Sequence, residues 1–110
     1  MNKSPLISIV TVTYNAVSCI ERTITSVINQ VYDNIEYIII DGGSTDATVD
    51  IIKNNRDAIS KWISESDEGI SDAFNKGIRM AEGDIIGLIN SDVMLAPNAM
   101  QYLSEAYSEN

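Results

Sequence analysis

Histidine is absent from the 110 residues. That removes imidazole general bases and histidine-containing zinc sites, so proton transfer or metal binding must fall to carboxylates. The single cysteine, Cys19, cannot form an internal disulfide, so nothing asks for an oxidising compartment, and a small buried residue is its expected role. Basic residues are scarce. Seven Lys and Arg stand against 16 Asp and Glu, for a formal net charge of -9, and a surface of that sign repels phosphate backbones and anionic membranes. Nucleic acid is therefore not an expected partner. Long apolar runs are also missing. Thr11 and Thr13 interrupt the stretch that starts at Leu6, and it is too short and too β-branched for a signal peptide or a membrane span. The expected location is the cytoplasm.

What is present, 45% hydrophobic and 21% charged residues without repeats or linkers, describes a single domain over residues 1–110. Short β-branched apolar runs alternate with stretches of helical spacing, the pattern of parallel strands joined by crossover helices in an α/β fold. Leu6 to Thr13 reads as a first strand. Ser18 and Glu21 form an S-x-x-E capping box, and Val17, Ile20, Ile24, Val27, Ile28 and Val31 follow as the stripe of a first helix. Ile35 to Ile40 is a second strand, and Asp41 to Asp46 a turn after which Thr45 or Asp46 caps a second helix reaching Asn55. Ile59 to Ser64 is a short third strand. Ile70 to Glu82 is a helix, with Gly83 as its left-handed cap. Asp84 to Ile89 is a fourth strand, and Pro97 opens a last helix whose Ala99, Leu103 and Ala106 share a face.

Right-handed crossovers predict a doubly wound, mostly parallel sheet of order 3-2-1-4 with helices on both faces. Strand four then lies on an edge, although Asp84 to Ile89 is as apolar as a central strand. The expectation is a truncated fold whose free edge either is covered by chain continuing past Asn110 or promotes self-association.

Ligands of open α/β sheets bind beyond the carboxyl ends of the strands, at the reversal of strand order. The ends here carry Thr13-Tyr14-Asn15, Asp41-Gly42-Gly43-Ser44, Asp67-Glu68-Gly69 and Asn90-Ser91-Asp92. Each is also a good turn sequence, but their joint placement favours a site. No glycine-rich loop follows strand one, which excludes a dinucleotide-binding fingerprint and a P-loop. A diphosphate ligand would then need a divalent cation, Mg or Mn, held by oxygen donors such as Asp92.

SIVTVTYNA, EYIIIDGGSTDAT, DEGISDAFNKGI and AEGDIIGLINSD, in this order, resemble the successive motifs of family 2 glycosyltransferases, which have the Rossmann-like GT-A fold. The flavour is that of bacterial enzymes building capsule, lipopolysaccharide or exopolysaccharide. The resemblance implies an inverting transfer of sugar from a nucleotide diphosphate sugar, a UDP-sugar first of all, to a saccharide or lipid-linked acceptor. It also implies roles for particular residues. Thr13, Tyr14 and Asn15 would line the nucleoside pocket, and Asp41 would help hold base or ribose. Asp67 and Asn75, the latter in the G-x-x-x-A-x-N-x-G run from Gly69 to Gly77, would shape the donor pocket. Asn90-Ser91-Asp92 corresponds to the family's Asp-x-Asp, with Asp92 the metal ligand. The chain departs from the family at Gly42, where a second acid is common, and at Asn90, where the first metal-site acid would be. The resemblance covers only the donor-binding half. Beyond Asp92 the acids are Glu105 and Glu109, neither expected to be the acceptor-activating base. No catalytic residue is therefore identified within the chain, and the general base is expected beyond Asn110. The competing readings are a free-standing nucleotide-binding or interaction domain and a metal-dependent phosphohydrolase using Asp41 and Asp92.

Overall fold

β-branched residues dominate the four segments that pair in a computed structural model of the protein, which describes residues 4–108. β1 (Ile7–Thr13), β2 (Ile35–Asp41), β3 (Lys61–Ser64) and β4 (Ile85–Asn90) form one sheet in the order β3-β2-β1-β4. All three pairings are parallel, with Val10 opposite both Ile38 and Leu88. The expected order therefore holds, and the GT-A-like doubly wound arrangement with it. Every residue of β1 is buried, as a strand covered on both faces requires.

The helices divide between the faces. α1 (Ile20–Ile28), α2 (Thr48–Asn54) and α4 (Ala99–Ser108) share a core with Ile7, Ile9, Tyr37 and Ile39, into which Ile20, Ile24, Ile52 and Met100 project. α3 (Ile70–Met80) covers the opposite face, where Ala73 meets Val10, Val12, Ile38 and Ile40. Gly77 of α3 lies so close to β1 that a Cβ there would stand 2.2 Å from a Val10 methyl. Cys19 is half-buried against the larger core.

Several local expectations give way to tertiary contacts. The Ser18/Glu21 capping box does not form. α1 starts at Ile20 without a side-chain cap, the Cys19 and Ile20 N–H groups donate to the Ala16 carbonyl, and Glu21 accepts from Asn55 Nδ2 instead. Of the proposed stripe, Ile20, Ile24 and Val27 are buried, while Val17, Ile28 and Val31 are exposed at the ends and flank of the helix. Asp46 does serve α2, from one residue ahead of its N-cap, by accepting the Thr48 N–H at 2.9 Å. β3 starts two residues later than expected, because Ile59 N–H closes a 3-10 turn over Arg56–Ala58.

Gly83 is not a left-handed cap. α3 ends in extended backbone at Ala81, and Gly83 is glycine because a Cβ would stand 2.7 Å from Ser8 N and 2.8 Å from the Leu6 carbonyl. α4 buries Met100 and Ser104, with Ala99 partly buried against the same core, while Leu103 and Ala106 are exposed. The buried Gln30 carboxamide accepts the Met100 N–H at 3.0 Å and so sets the rotation of that helix. β4 alternates half-buried and exposed residues. α3 stops short of it, leaving Ile86 and Leu88 in solvent. No helix among the described residues is long and apolar enough to cross a membrane.

Candidate functional site

The carboxyl end of the sheet is built around Asp41, the last residue of β2. Its side chain is completely buried. Oδ2 accepts from Gly43 N, Ser44 N and Ser64 Oγ at 3.1, 2.8 and 2.7 Å, and Oδ1 accepts from Ser44 Oγ at 2.5 Å. A carboxylate offers roughly four lone-pair positions. Oδ2 takes three of the donors and Oδ1 one, so the carboxylate expected to hold base or ribose is largely engaged in holding the loop after β2. Gly43, at φ 87°, supplies the left-handed residue that lets this loop fold back over the carboxylate.

Asn15 clasps the same loop from the other side. It takes the left-handed conformation at φ 47°, which asparagine tolerates better than most residues. Its Oδ1 accepts from Thr45 N at 2.7 Å and Asp46 N at 3.3 Å, and its own N–H donates to Ser44 Oγ at 2.8 Å. Hydrogen bonds from Thr48 and from the Val17 N–H hold the Asp46 carboxyl below the usual carboxylate range.

Between the ends of β1 and β4, the residues that follow β3 and the start of α3 opens a cleft of about 300 Å³. Val12, Tyr14, Ile70 and Ala73 form its apolar walls, and Thr13, Asp67, Asn90 and Ser91 bring polar groups to it. It lies where the strand order turns from β1 toward β2 on one side and β4 on the other. Five residues anticipated from the sequence, Thr13, Tyr14, Asp67, Asn90 and Ser91, meet here. Asn15 and Asp41 do not line the cleft and hold the loop after β2, Asn75 is exposed on α3, and Asp92 is exposed next to the lining residue Ser91. Glu105 is exposed on α4 and does not line the cleft. Glu109 and Asn110 lie outside the described residues, and the general base expected beyond Asn110 lies outside them as well.

Thr13 Oγ1 is buried without a hydrogen-bond partner among the described residues. A buried hydroxyl left unpaired costs about 1–3 kcal/mol, so such groups commonly await a ligand or water.

The loop carrying Asn90-Ser91-Asp92 is held by a row of polar residues on α1 that sequence reasoning missed. Thr23 Oγ1 donates to the Ser91 carbonyl at 2.6 Å, Ser26 Oγ accepts from Leu95 N at 3.1 Å, and Gln30 Nε2 donates to the Ala96 carbonyl at 2.7 Å. The signal was present: residues at i, i+3 and i+7 beside an apolar stripe are polar groups turned toward a neighbour.

No cluster of three or more acidic or thiol ligands exists among the described residues. The Asp92 side chain is exposed and engages no hydrogen bond among the described residues. One free carboxylate beside the amide of Asn90 and the hydroxyl of Ser91 fits an oxygen-seeking cation that takes its remaining ligands from phosphate and water, as Mg does. It does not fit a cage that would bind a metal by itself.

The family model described as "Glycosyl transferase family 2" matches residues 8–110. The chain belongs to glycosyl transferase family 2. It is similar to an uncharacterized glycosyltransferase of Mycobacterium tuberculosis, with 36% identity over 98% of this chain and 42% of the relative. Among solved structures, TarS 1-349 of S. aureus in complex with UDP superimposes with TM-score 0.84 at 23% identity, covering 94% of this chain and 32% of that one. A mannosyltransferase from Pyrobaculum calidifontis in complex with GDP-Man and Mn2+ gives TM-score 0.81 at 24% identity over 96% of this chain and 32% of its own. These likenesses establish the GT-A fold. The chain spans about two fifths of the length of the first curated relatives it matches.

Proposed function

We propose that this chain is the donor-binding portion of an inverting bacterial glycosyltransferase, acting on a nucleotide diphosphate sugar with Mg or Mn. The observation that carries the reading is the convergence of Thr13 and Tyr14 from β1, Asp67 from beyond β3 and Asn90 and Ser91 from β4 on one half-apolar cleft at the reversal of strand order. An aromatic ring and aliphatic walls suit a flat heterocycle, and the mouth near Asp92 suits phosphates. A cation bound by Asp92, with Asn90 beside it, would neutralise a diphosphate that a protein of net charge -9 otherwise repels.

The UDP complex of TarS and the GDP-Man and Mn2+ complex of the mannosyltransferase support a nucleotide and cation here. The motif resemblance to capsule and lipopolysaccharide transferases supports a saccharide or lipid-linked acceptor and a cytoplasmic setting. Acceptor activation is not assigned to any described residue, since Glu105 is exposed and does not line the cleft, and a base outside the described residues is part of this proposal. Among the described residues β4 is paired only with β1, and we read its other edge, near the exposed Ile86 and Leu88, as the surface through which the chain self-associates. A sedimentation experiment that finds only monomer would remove this last point.

Calorimetry of UDP binding with and without Mn tests the central reading. Binding should be stronger with the metal, and Asp92→Ala should abolish the metal-dependent gain while leaving the metal-free affinity unchanged. Equal affinities with and without metal in the unaltered protein would overturn it.

A further inference from the structure

One carboxylate in the cleft has an unusual seat. Asp67 follows β3 and leans over Gly42, the residue after β2. A Cβ placed on Gly42 would stand 2.7 Å from Asp67 Oδ2 and 3.3 Å from its carboxyl carbon. Real Cβ atoms are essentially never that close, so the carboxylate fills the room that any side chain at position 42 would occupy. Gly42 itself has no left-handed backbone to explain its identity, since the positive-φ glycines are Gly43 and Gly69. Its N–H donates to the Thr13 carbonyl at 2.9 Å, which ties Asp67, Gly42 and Thr13 into one corner of the cleft.

The hydrogen bonding of that corner is half complete. Asp67 Oδ1 accepts the Gly69 N–H at 3.1 Å, which fixes the orientation of the carboxyl group. Oδ2 has no donor among the described residues. The Thr13 hydroxyl, buried in the same wall, is also unpaired. The two differ in chemistry. A hydroxyl donates or accepts as required and so discriminates little, whereas a carboxylate only accepts.

Resting on the proposal that a nucleoside diphosphate occupies this cleft, we infer that Asp67, seated on Gly42, is the base-reading residue and selects a base that presents a ring N–H, as uracil and guanine do. The Watson–Crick edge of uracil offers N3–H between two carbonyls, and guanine offers N1–H beside an amino group. Cytosine and adenine present an unprotonated ring nitrogen there, which an acceptor-only group repels. Asp67 Oδ2 takes the ring N–H, and the Thr13 hydroxyl adapts to the neighbouring carbonyl. Sites that hydrogen-bond a substrate group reject analogues lacking it, because buried polar atoms are then left unpaired. Hydrogen bonds to charged groups have a net value of about 1.5–3 kcal/mol, or about 10- to 150-fold in affinity.

The test is calorimetry of the chain with UDP, GDP, CDP and ADP, all with Mn. UDP or GDP should bind at least about tenfold more tightly than both CDP and ADP. Asp67→Asn, which can both donate and accept, should cut that preference to within about threefold. Gly42→Ala keeps the carboxylate but takes its seat. Because the clash falls on the free end of a side chain, its thermal midpoint should stay near that of the unaltered protein while the preference collapses as in Asp67→Asn. Preference retained in both variants, or no preference among the four nucleotides at the outset, overturns the base-reading role and leaves the nucleotide site standing. Absence of binding by all four removes the site itself.

Discussion

Two buried carboxylates mark the two ends of the same strand. Asp41 closes β2 at the carboxyl end of the sheet, and Glu36 sits near its start at the amino end. Asp41 is held by neutral donors alone, two backbone amides and two serine hydroxyls, from the loop after β2 and the last residue of β3. Glu36 is satisfied partly by a charge. It accepts from Ser8 Oγ at 2.7 Å and Glu82 N at 2.9 Å and pairs with Lys61 Nζ at 3.0 Å, while Lys61 also donates to the Met80 carbonyl at 2.8 Å. Burial works to raise the Glu36 pKa, and the Glu82 N–H, the Ser8 hydroxyl and Lys61 together bring it below the ordinary value. Glu82 and then Glu36 raise that of Lys61.

The difference separates a frame from a site. At the amino end the partners are strands and the end of α3, so the network fastens regular elements together. At the carboxyl end most of the donors are on the loop after β2, so a single carboxylate gathers that loop, and Thr13 Oγ1, Asp67 Oδ2 and Asp92 are left without a hydrogen-bond partner among the described residues. Altering Asp41 should therefore do most harm. Asp41→Ala orphans four donors and is expected to cost about 3 kcal/mol in urea unfolding, and to weaken nucleotide binding even without metal. A variant that is stable and binds normally would show that the loop needs no centre.

Gly83→Ala probes the frame alone. Its Cβ would press on the Leu6 and Ser8 backbone, which cannot swing aside, so a loss of about 2 kcal/mol is expected. The remaining folded protein should bind nucleotide with unchanged affinity. Gln30→Ala lies between the two regions. Removing the carboxamide frees the Ala96 carbonyl and the Met100 N–H, for about 1–2 kcal/mol, and should weaken metal-dependent binding more than metal-free binding by loosening the loop after β4.

The smallest effect is in pH. Glu36 has a folded pKa below the ordinary 4.5, so its contribution is present above pH 4.5 and disappears as pH falls through the folded value. Lys61 is raised above 10.5, so its contribution holds below pH 10.5 and is lost as pH rises through the folded value. Glu36→Gln should flatten the acid limb of a stability profile, and Lys61→Met the alkaline limb. An unchanged acid limb in Glu36→Gln would assign acid sensitivity to other carboxylates.

Strand order, helix placement and the gathering of Thr13, Tyr14, Asp67, Asn90 and Ser91 are legible in the residues alone. Each follows from a local pattern combined with the fixed hand of crossover connections, and both are properties of the chain itself. What could not be read were identities decided by a distant partner. Ser18 and Glu21 have the spacing of a capping box, but Asn55, 34 positions from the glutamate, takes it. Gly83 has the position of a cap, but the backbone of β1 excludes its Cβ. Asp41 has the look of a ligand group, and the fold adds to its role the anchoring of the loop after β2, with Ser64, 23 residues on, among its donors.

The sequence by itself determined a parallel α/β sheet and where along the chain its polar ends fall, because side-chain periodicity and backbone chirality act over a few residues. The tertiary structure alone decided which of those polar groups are spent and which are free. A lone pair is filled by whatever donor the fold brings within about 3 Å, and sequence spacing carries no record of that distance.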